Sequence, residues 1–132
     1  MDKNPKHIEY YLPWDTAPID ISFIFEDEKP AGKHGFMKSE GGNFVFEDGT
    51  PVKFWGTNFN SGACYPPKEQ APKIAKRLAM FGLNMVRFHQ MEAHWSRPNL
   101  FQFVNGPVLK DTQTLDERTL DLLDYFITHH AV

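Results

Sequence analysis

Apolar positions along this chain change period twice. In "IDISFIFED" they alternate, with Ile19, Ile21, Phe23 and Phe25 on one parity, a pattern that predicts one strand. "KPAGKHG" follows as a loop. Two further strands are predicted over residues 43–47 and 52–59. The Asp48-Gly49 pair between them is a hairpin signal, lengthened by Thr50-Pro51. At Ala71 the period becomes helical, with Ala71, Ile74, Ala75, Leu78 and Ala79 on one face. Pro72 fits the first turn of such a helix, and Gly82 stands where a left-handed cap would end it. "LNMVRFH" then returns to period two. After a loop containing Pro98, Gly106 and Pro107, "TLDERTLDLLDYFITHH" predicts a second helix. Two starts compete there. Thr114 with Glu117 makes a capping box, whereas Asp116 as N-cap gives a Leu115–Leu120 staple. Asp116 is preferred, because Leu120, Leu123 and Ile127 then continue an apolar stripe.

From residue 52 the order is strand, helix, strand, helix, with the strands about thirty residues apart, the size of a βαβ unit. The expected fold class is therefore α/β with parallel strands, in an open sheet or a barrel. Two strands and two helices leave a raw sheet edge, so the parts read like the opening of something larger, with self-association through that edge expected.

The second predicted strand poses a chemical problem. Burying an unpaired guanidinium costs several kcal/mol, yet Arg87 stands in the middle of "NMVRFH". By parity Val86 and Phe88 point one way, and Met85, Arg87 and His89 the other. In a (β/α)8 barrel one parity meets the helices and the other the barrel interior, and active sites lie at the C-terminal ends of the strands. Arg87 and His89 would rise toward that end. In "FWGTNFN" Gly56 allows close backbone approach, and Asn58 shares its parity one step nearer the mouth, able both to donate and to accept a hydrogen bond there. Glu92, His94 and Trp95 follow the strand exit, and His34 of "AGKHGF" is a further candidate from the N-terminal segment. Each has a plainer alternative: Arg87 as a surface residue of an edge strand, Asn58 as a turn former, His89 as a core histidine, Trp95 as a cover for a rim. "HQMEAH" lacks the His-Glu-x-x-His or His-x-x-Glu-His spacing of zinc hydrolases, so no metal and no cofactor is expected.

Together, "FVFEDGTPVKFWGTNFN" and "AKRLAMFGLNMVRFHQMEAHW" resemble the start of the catalytic barrel in clan A glycoside hydrolases, the cellulase-like (β/α)8 group. The family's strand-one Gly-x-Asn is matched by Gly56-Thr57-Asn58, and its strand-two Asn-x-Val-Arg by Asn84-Met85-Val86-Arg87. The resemblance covers roughly residues 36–130. It implies a glycosidase acting on O-glycosidic bonds of a polysaccharide or oligosaccharide by a two-carboxylate, retaining mechanism. It also implies that Arg87 supports the nucleophilic glutamate from beneath. In the family the two carboxylates come from strands four and seven, whereas this chain ends before a third strand. The expectation is therefore an N-terminal portion without catalytic residues of its own, inactive alone. Residues 1–35 would form an N-terminal extended or β segment, and residues 36–132 the first part of the barrel.

Composition narrows the alternatives. The 132 residues are 41% hydrophobic and 23% charged, with a net charge of −3, which gives no basic footprint for nucleic acid. No apolar run reaches the ~18 residues of a membrane span. Cys64 is the only cysteine, so no internal disulfide forms. The start "MDKNPKHIEYYLPWD" lacks the apolar core of a signal peptide, which reads as cytoplasmic as given, or extracellular if an upstream signal is processed. Aromatics at 14% suit a core and also a sugar-stacking surface. A non-catalytic carbohydrate-binding or interaction module using Trp14, Trp55 and Trp95 is the alternative, weakened by the two helical stretches. A doubly wound nucleotide-binding protein ranks last, because no glycine-rich loop follows the first strand.

Overall fold

The helical stretch at residue 71 forms as its pattern predicts. The computed structural model describes residues 19–104, 108–109 and 111–130, and helix α1 spans Ala71–Met80 with Pro72 in its first turn. Its end is a Schellman motif. Gly82 adopts φ 71°, its N–H donates to the Ala79 carbonyl at 2.9 Å, and the Leu83 N–H reaches the Leu78 carbonyl at 3.0 Å. Ala71, Ala75, Ala79 and Met80 are buried.

α1 connects two parallel strands, β3 (Gly56–Asn60) and β4 (Met85–His89), which pair Gly56 with Met85 through to Asn60 with His89. Asn84 sets this pairing at its lower end. Its side-chain oxygen accepts the Trp55 N–H at 2.8 Å, its amide donates to the Lys53 carbonyl at 2.9 Å, and its own N–H reaches the Trp55 carbonyl at 2.9 Å. One residue thus satisfies both backbone groups of Trp55, adding a rung below the ladder proper. Gly56 is required by packing: a Cβ there would lie 2.8 Å from the Met85 carbonyl oxygen and 2.9 Å from its Cε.

Helix α2 (Glu117–His130) packs against the same unit. Asp116 is its N-cap, accepting the Thr119 N–H at 2.9 Å, which satisfies one of the orphan donors of the first turn. The expected apolar stripe of Leu120, Leu123 and Ile127 is only partly the buried face: Leu120 and Leu123 are half-buried, and the centre of burial is turned toward Phe126. Thr119 and Phe126 are buried, and Ile127 is 48% exposed. The rotation follows from the partner: Phe126 stacks on Phe59 at 5.7 Å between ring centroids and meets Phe88 edge-on at 6.1 Å. Both rings stand on the helix-facing parity of β3 and β4.

The N-terminal half departs further from expectation. Ser22–Glu28 is a 3-10 helix, not the strand predicted from alternation. A period of two specifies a strand only where a neighbouring strand accepts it, and none of the described strands pairs here. Instead, the Asp20 carboxylate takes the Ser22 N–H at 3.0 Å and the Ile21 N–H donates to the Met80 carbonyl at 3.2 Å, starting a turn at the end of α1. The Ile21 side chain covers Gly82, and Phe25 is buried. Trp14 and residues 1–18 lie outside the described residues.

Strand β2 (Asn43–Phe46) forms as predicted, but its partner is β1 (Met37–Glu40) across the Gly41-Gly42 turn. The Asp48-Gly49 turn also forms, with the Phe46 N–H bonded to the Thr50 carbonyl at 2.9 Å. It returns only a single bridge, Val45 to Pro51, plus the Val52 N–H to Phe44. Pro51 has no N–H to give the ladder, and the predicted strand 52–59 leaves for the parallel sheet at Gly56. A short antiparallel pair, β5 (Phe103–Val104) with β6 (Val108–Leu109), precedes α2. The described residues thus form a mixed α/β structure with three two-stranded sheets. Among them no helix is long and apolar enough to cross a membrane.

Candidate functional site

Register places Asn58 directly opposite Arg87. Neighbouring strands carry opposed residues on the same face, and here that face turns away from the helices, since Phe59 and Phe88 of the other parity meet Phe126. Asn58 and Arg87 are both exposed. The guanidinium in a strand therefore incurs no burial penalty in this structure, and none of the ion pairs among the described residues involves it. Met85 lies below Arg87 on the same face, 43% exposed, against the space left by Gly56. His89 and Asn60 form the last rung and share the parity of Arg87 and Asn58. Asn60 was passed over in sequence, although it repeats the parity of Asn58 two residues on.

Both strands end in the same unusual way. The residues after the last rung, Ser61 and Gln90, have φ of 58° and 53°, the only non-glycine positive values among the described residues. Such backbone is costly outside glycine and persists where surrounding contacts hold it. Those contacts join the two strand exits. The Ser61 hydroxyl donates to the Ser96 hydroxyl at 2.7 Å, and Ser96 donates in turn to the Pro98 carbonyl at 2.8 Å. The Tyr65 hydroxyl donates to the Met91 carbonyl at 3.2 Å. Gly62 lies so close to the Arg97 carbonyl that a Cβ there would collide with its oxygen. Asn99 closes the second loop, donating to the Ala93 carbonyl at 2.7 Å. Glu92, His94 and Trp95 are thereby presented to solvent on a braced loop, with Trp95 54% exposed.

Cys64 and Tyr65, together with Ser96, are the most buried side chains of this region. Burial pushes the Cys64 thiol up, and burial, with Cys64 and Glu92 nearby, pushes the Tyr65 phenol well up. Both are neutral structural groups: a raised thiol pKa removes the thiolate that nucleophilic chemistry requires. Neither was singled out in sequence, because a lone Cys-Tyr pair in a loop has no periodic signal.

His34 does not join this site. It lines a cavity with Lys53, Phe54 and Asn84, residues that precede β3 and β4, so it sits near the N-terminal ends of the strands rather than at the mouth. A local interaction decides its position: its ring lies between the Glu28 and Asp48 carboxylates and stacks on Phe46. Asn58, Arg87 and His89 are brought together by the ladder. Glu92, His94 and Trp95 follow them on the exit loop. Among the described residues no three His, Cys, Asp or Glu side chains are grouped to hold a metal ion. No protein-family model, curated protein or solved structure matches the chain.

Proposed function

We propose that this chain supplies the first two βα units of a clan A glycoside hydrolase barrel, an enzyme that cleaves O-glycosidic bonds of a polysaccharide or oligosaccharide through a retaining, two-carboxylate mechanism. The observation that carries this reading is the in-register parallel pair with Asn58 opposite Arg87 on the face away from the helices. In the complete barrel Arg87 forms an ion pair with the nucleophilic glutamate and keeps it ionised. Asn58 and the exit-loop residues contact sugar hydroxyls, and Trp95 offers a ring for stacking. The acid/base and the nucleophile, ~5–5.5 Å apart in retaining enzymes, belong to later strands in that family. An arginine exposed and without an ion pair here fits a residue whose partner comes from such a strand.

On this reading the 132 residues alone hydrolyse nothing and associate through the free edges of β3 and β4. The test is to read the coding DNA beyond Val132, and to assay this chain and the longer product on a panel of aryl glycosides. The longer product is expected to turn over substrate. Arg87→Ala should abolish that turnover, and Arg87→Lys should restore it only partly, since lysine lacks the planar fork. A frame without a further parallel strand overturns the proposal. Turnover by the present chain that Glu92→Gln abolishes overturns it too, by making Glu92 catalytic. Sugar binding without turnover by the longer product would favour a carbohydrate-binding module.

A further inference from the structure

We propose that His34 is a proton-operated clamp: as an imidazolium it fastens the N-terminal segment, residues 20–35, onto the β1–β2 hairpin and closes the cavity between them. Each ring nitrogen of His34 faces a carboxylate oxygen. Nδ1 lies 2.5 Å from an Asp48 oxygen and Nε2 lies 3.0 Å from a Glu28 oxygen. An ionised carboxylate only accepts, and a neutral imidazole carries one N–H and one lone pair. A neutral ring would therefore turn a lone pair toward one of the two carboxylates. Only the doubly protonated ring satisfies both contacts, each then a charge-assisted bond.

The two carboxylates belong to separate elements. Glu28 ends the 3-10 helix Ser22–Glu28, and Asp48 sits in the turn after β2. His34 is on the loop between them, with only 17% of its side chain exposed. The Phe46 ring stacks on it at 5.5 Å, and the Thr50 hydroxyl stands 3.4 Å from Nδ1. Behind it is a cavity of about 410 Å³, floored by Phe25, Phe46 and Phe54. Lys33 and Lys53 also line this cavity, and their charges oppose protonation of the ring. Lys33 is turned to the Asp27 carbonyl. Two carboxylates in direct contact outweigh two ammoniums that are not, and the balance raises the His34 pKa above its ordinary 6.5, with the Asp48 hydrogen bond the largest cause. The same bond holds Asp48 down to about 2.

The sign follows. A raised histidine pKa means that the clamp is complete below pH 6.5 and is lost as pH rises through the folded-state value. Loss frees the Glu28–His34 end of the segment from the hairpin and opens the cavity, while the Ile21 end stays bonded to α1 and the β3–β4 unit is held by separate contacts. Histidine is the side chain whose charge changes in this range, so the chain carries a switch in its N-terminal half independent of any glycosidase chemistry.

The experiment is a pH titration of the whole chain by 15N NMR of its imidazoles, with His34 assigned through His34→Gln. Both His34 nitrogens should be protonated at pH 6.5, and the midpoint should lie above that of an unstructured histidine. Glu28→Gln, which keeps the side-chain shape, should lower the midpoint measurably. Amide exchange in Ser22–Glu28 and β2, corrected for its intrinsic pH dependence, should speed up at least tenfold across the midpoint, with β3 and β4 unchanged. A midpoint at or below 6.5, no response to Glu28→Gln, or exchange in Ser22–Glu28 that shows no step would overturn the proposal.

Discussion

Phe126→Ala is the substitution that most directly tests how the parallel unit is held together. Phe126 is 5% exposed, and its ring contacts both strands through Phe59 and Phe88. Truncating a buried phenylalanine costs about 3–5 kcal/mol. The two ring pairs add specific geometry to the burial, at about 0.5–1.5 kcal/mol each. One feature moves the expectation to the lower end. Phe126 already borders a cavity of about 230 Å³ lined also by Leu78, Val86 and Phe88, so neighbours have room to relax into the space left. The expected loss is therefore about 3 kcal/mol. With a urea slope of about 1.5 kcal/mol/M for a chain of this size, the unfolding midpoint should fall by about 2 M. Ile127→Ala, one position on and half exposed, serves as the control and should cost under about 1.5 kcal/mol. The assay is equilibrium urea unfolding followed by far-UV circular dichroism and by tryptophan fluorescence. If Ile127→Ala costs as much as Phe126→Ala, the orientation of α2 described here is wrong, and the Leu120, Leu123 and Ile127 stripe is the buried one.

Three other outcomes are expected. Asp116→Ala removes the N-cap bond to Thr119 and should cost about 1 kcal/mol, read from the same urea curves; Asp116→Asn should recover most of it. Arg87→Ala in the chain as it stands should change stability by less than about 0.5 kcal/mol, because the guanidinium is exposed and forms no ion pair among the described residues. A loss above 1 kcal/mol would reveal a partner inside this chain and remove the support for one supplied by a later strand. In acid, Asp48 is held down to about 2 by His34 and Thr50, so its contribution is present above pH 3.8 and fades as pH falls through about 2. Asp48→Asn should flatten that limb of an acid titration.

The β3–α1–β4 unit was legible because several local signals agreed. The face of α1, Pro72, Gly82 and the alternation of "NMVRFH" all pointed to the same arrangement. The cap at Asp116 was legible for the same reason. The rotation of α2 was not, since Phe126 competes with Leu120 and Ile127 on a helix hydrophobic over much of its circumference, and only the Phe59 and Phe88 rings decide between them. The strand expected at Ile19–Phe25 failed because alternation is silent about whether a partner strand exists. At the candidate site, parity sufficed for Asn58, Arg87 and His89. It could not find the Ser61–Ser96 and Tyr65–Met91 contacts, which join loops far apart in sequence, nor the pair of carboxylates that draws His34 away from the strand mouths.

Asn84 bears on how the chain finds its alignment. Hairpins inherit their register from a short turn, but β3 and β4 are separated by a whole helix, and Trp55 and Asn84 are 29 residues apart. Nothing local measures that distance. A slip of one residue would bring Arg87 level with Thr57 or Phe59, and would set the polar face of one strand beside the apolar face of the other. The carboxamide of Asn84 fits between the Trp55 N–H and the Lys53 carbonyl only in the correct alignment. A misaligned pair would leave these groups without partners and be free to separate. The asparagine thus rewards the correct register alone, and the placement of Asn58 against Arg87 depends on a side chain that touches neither.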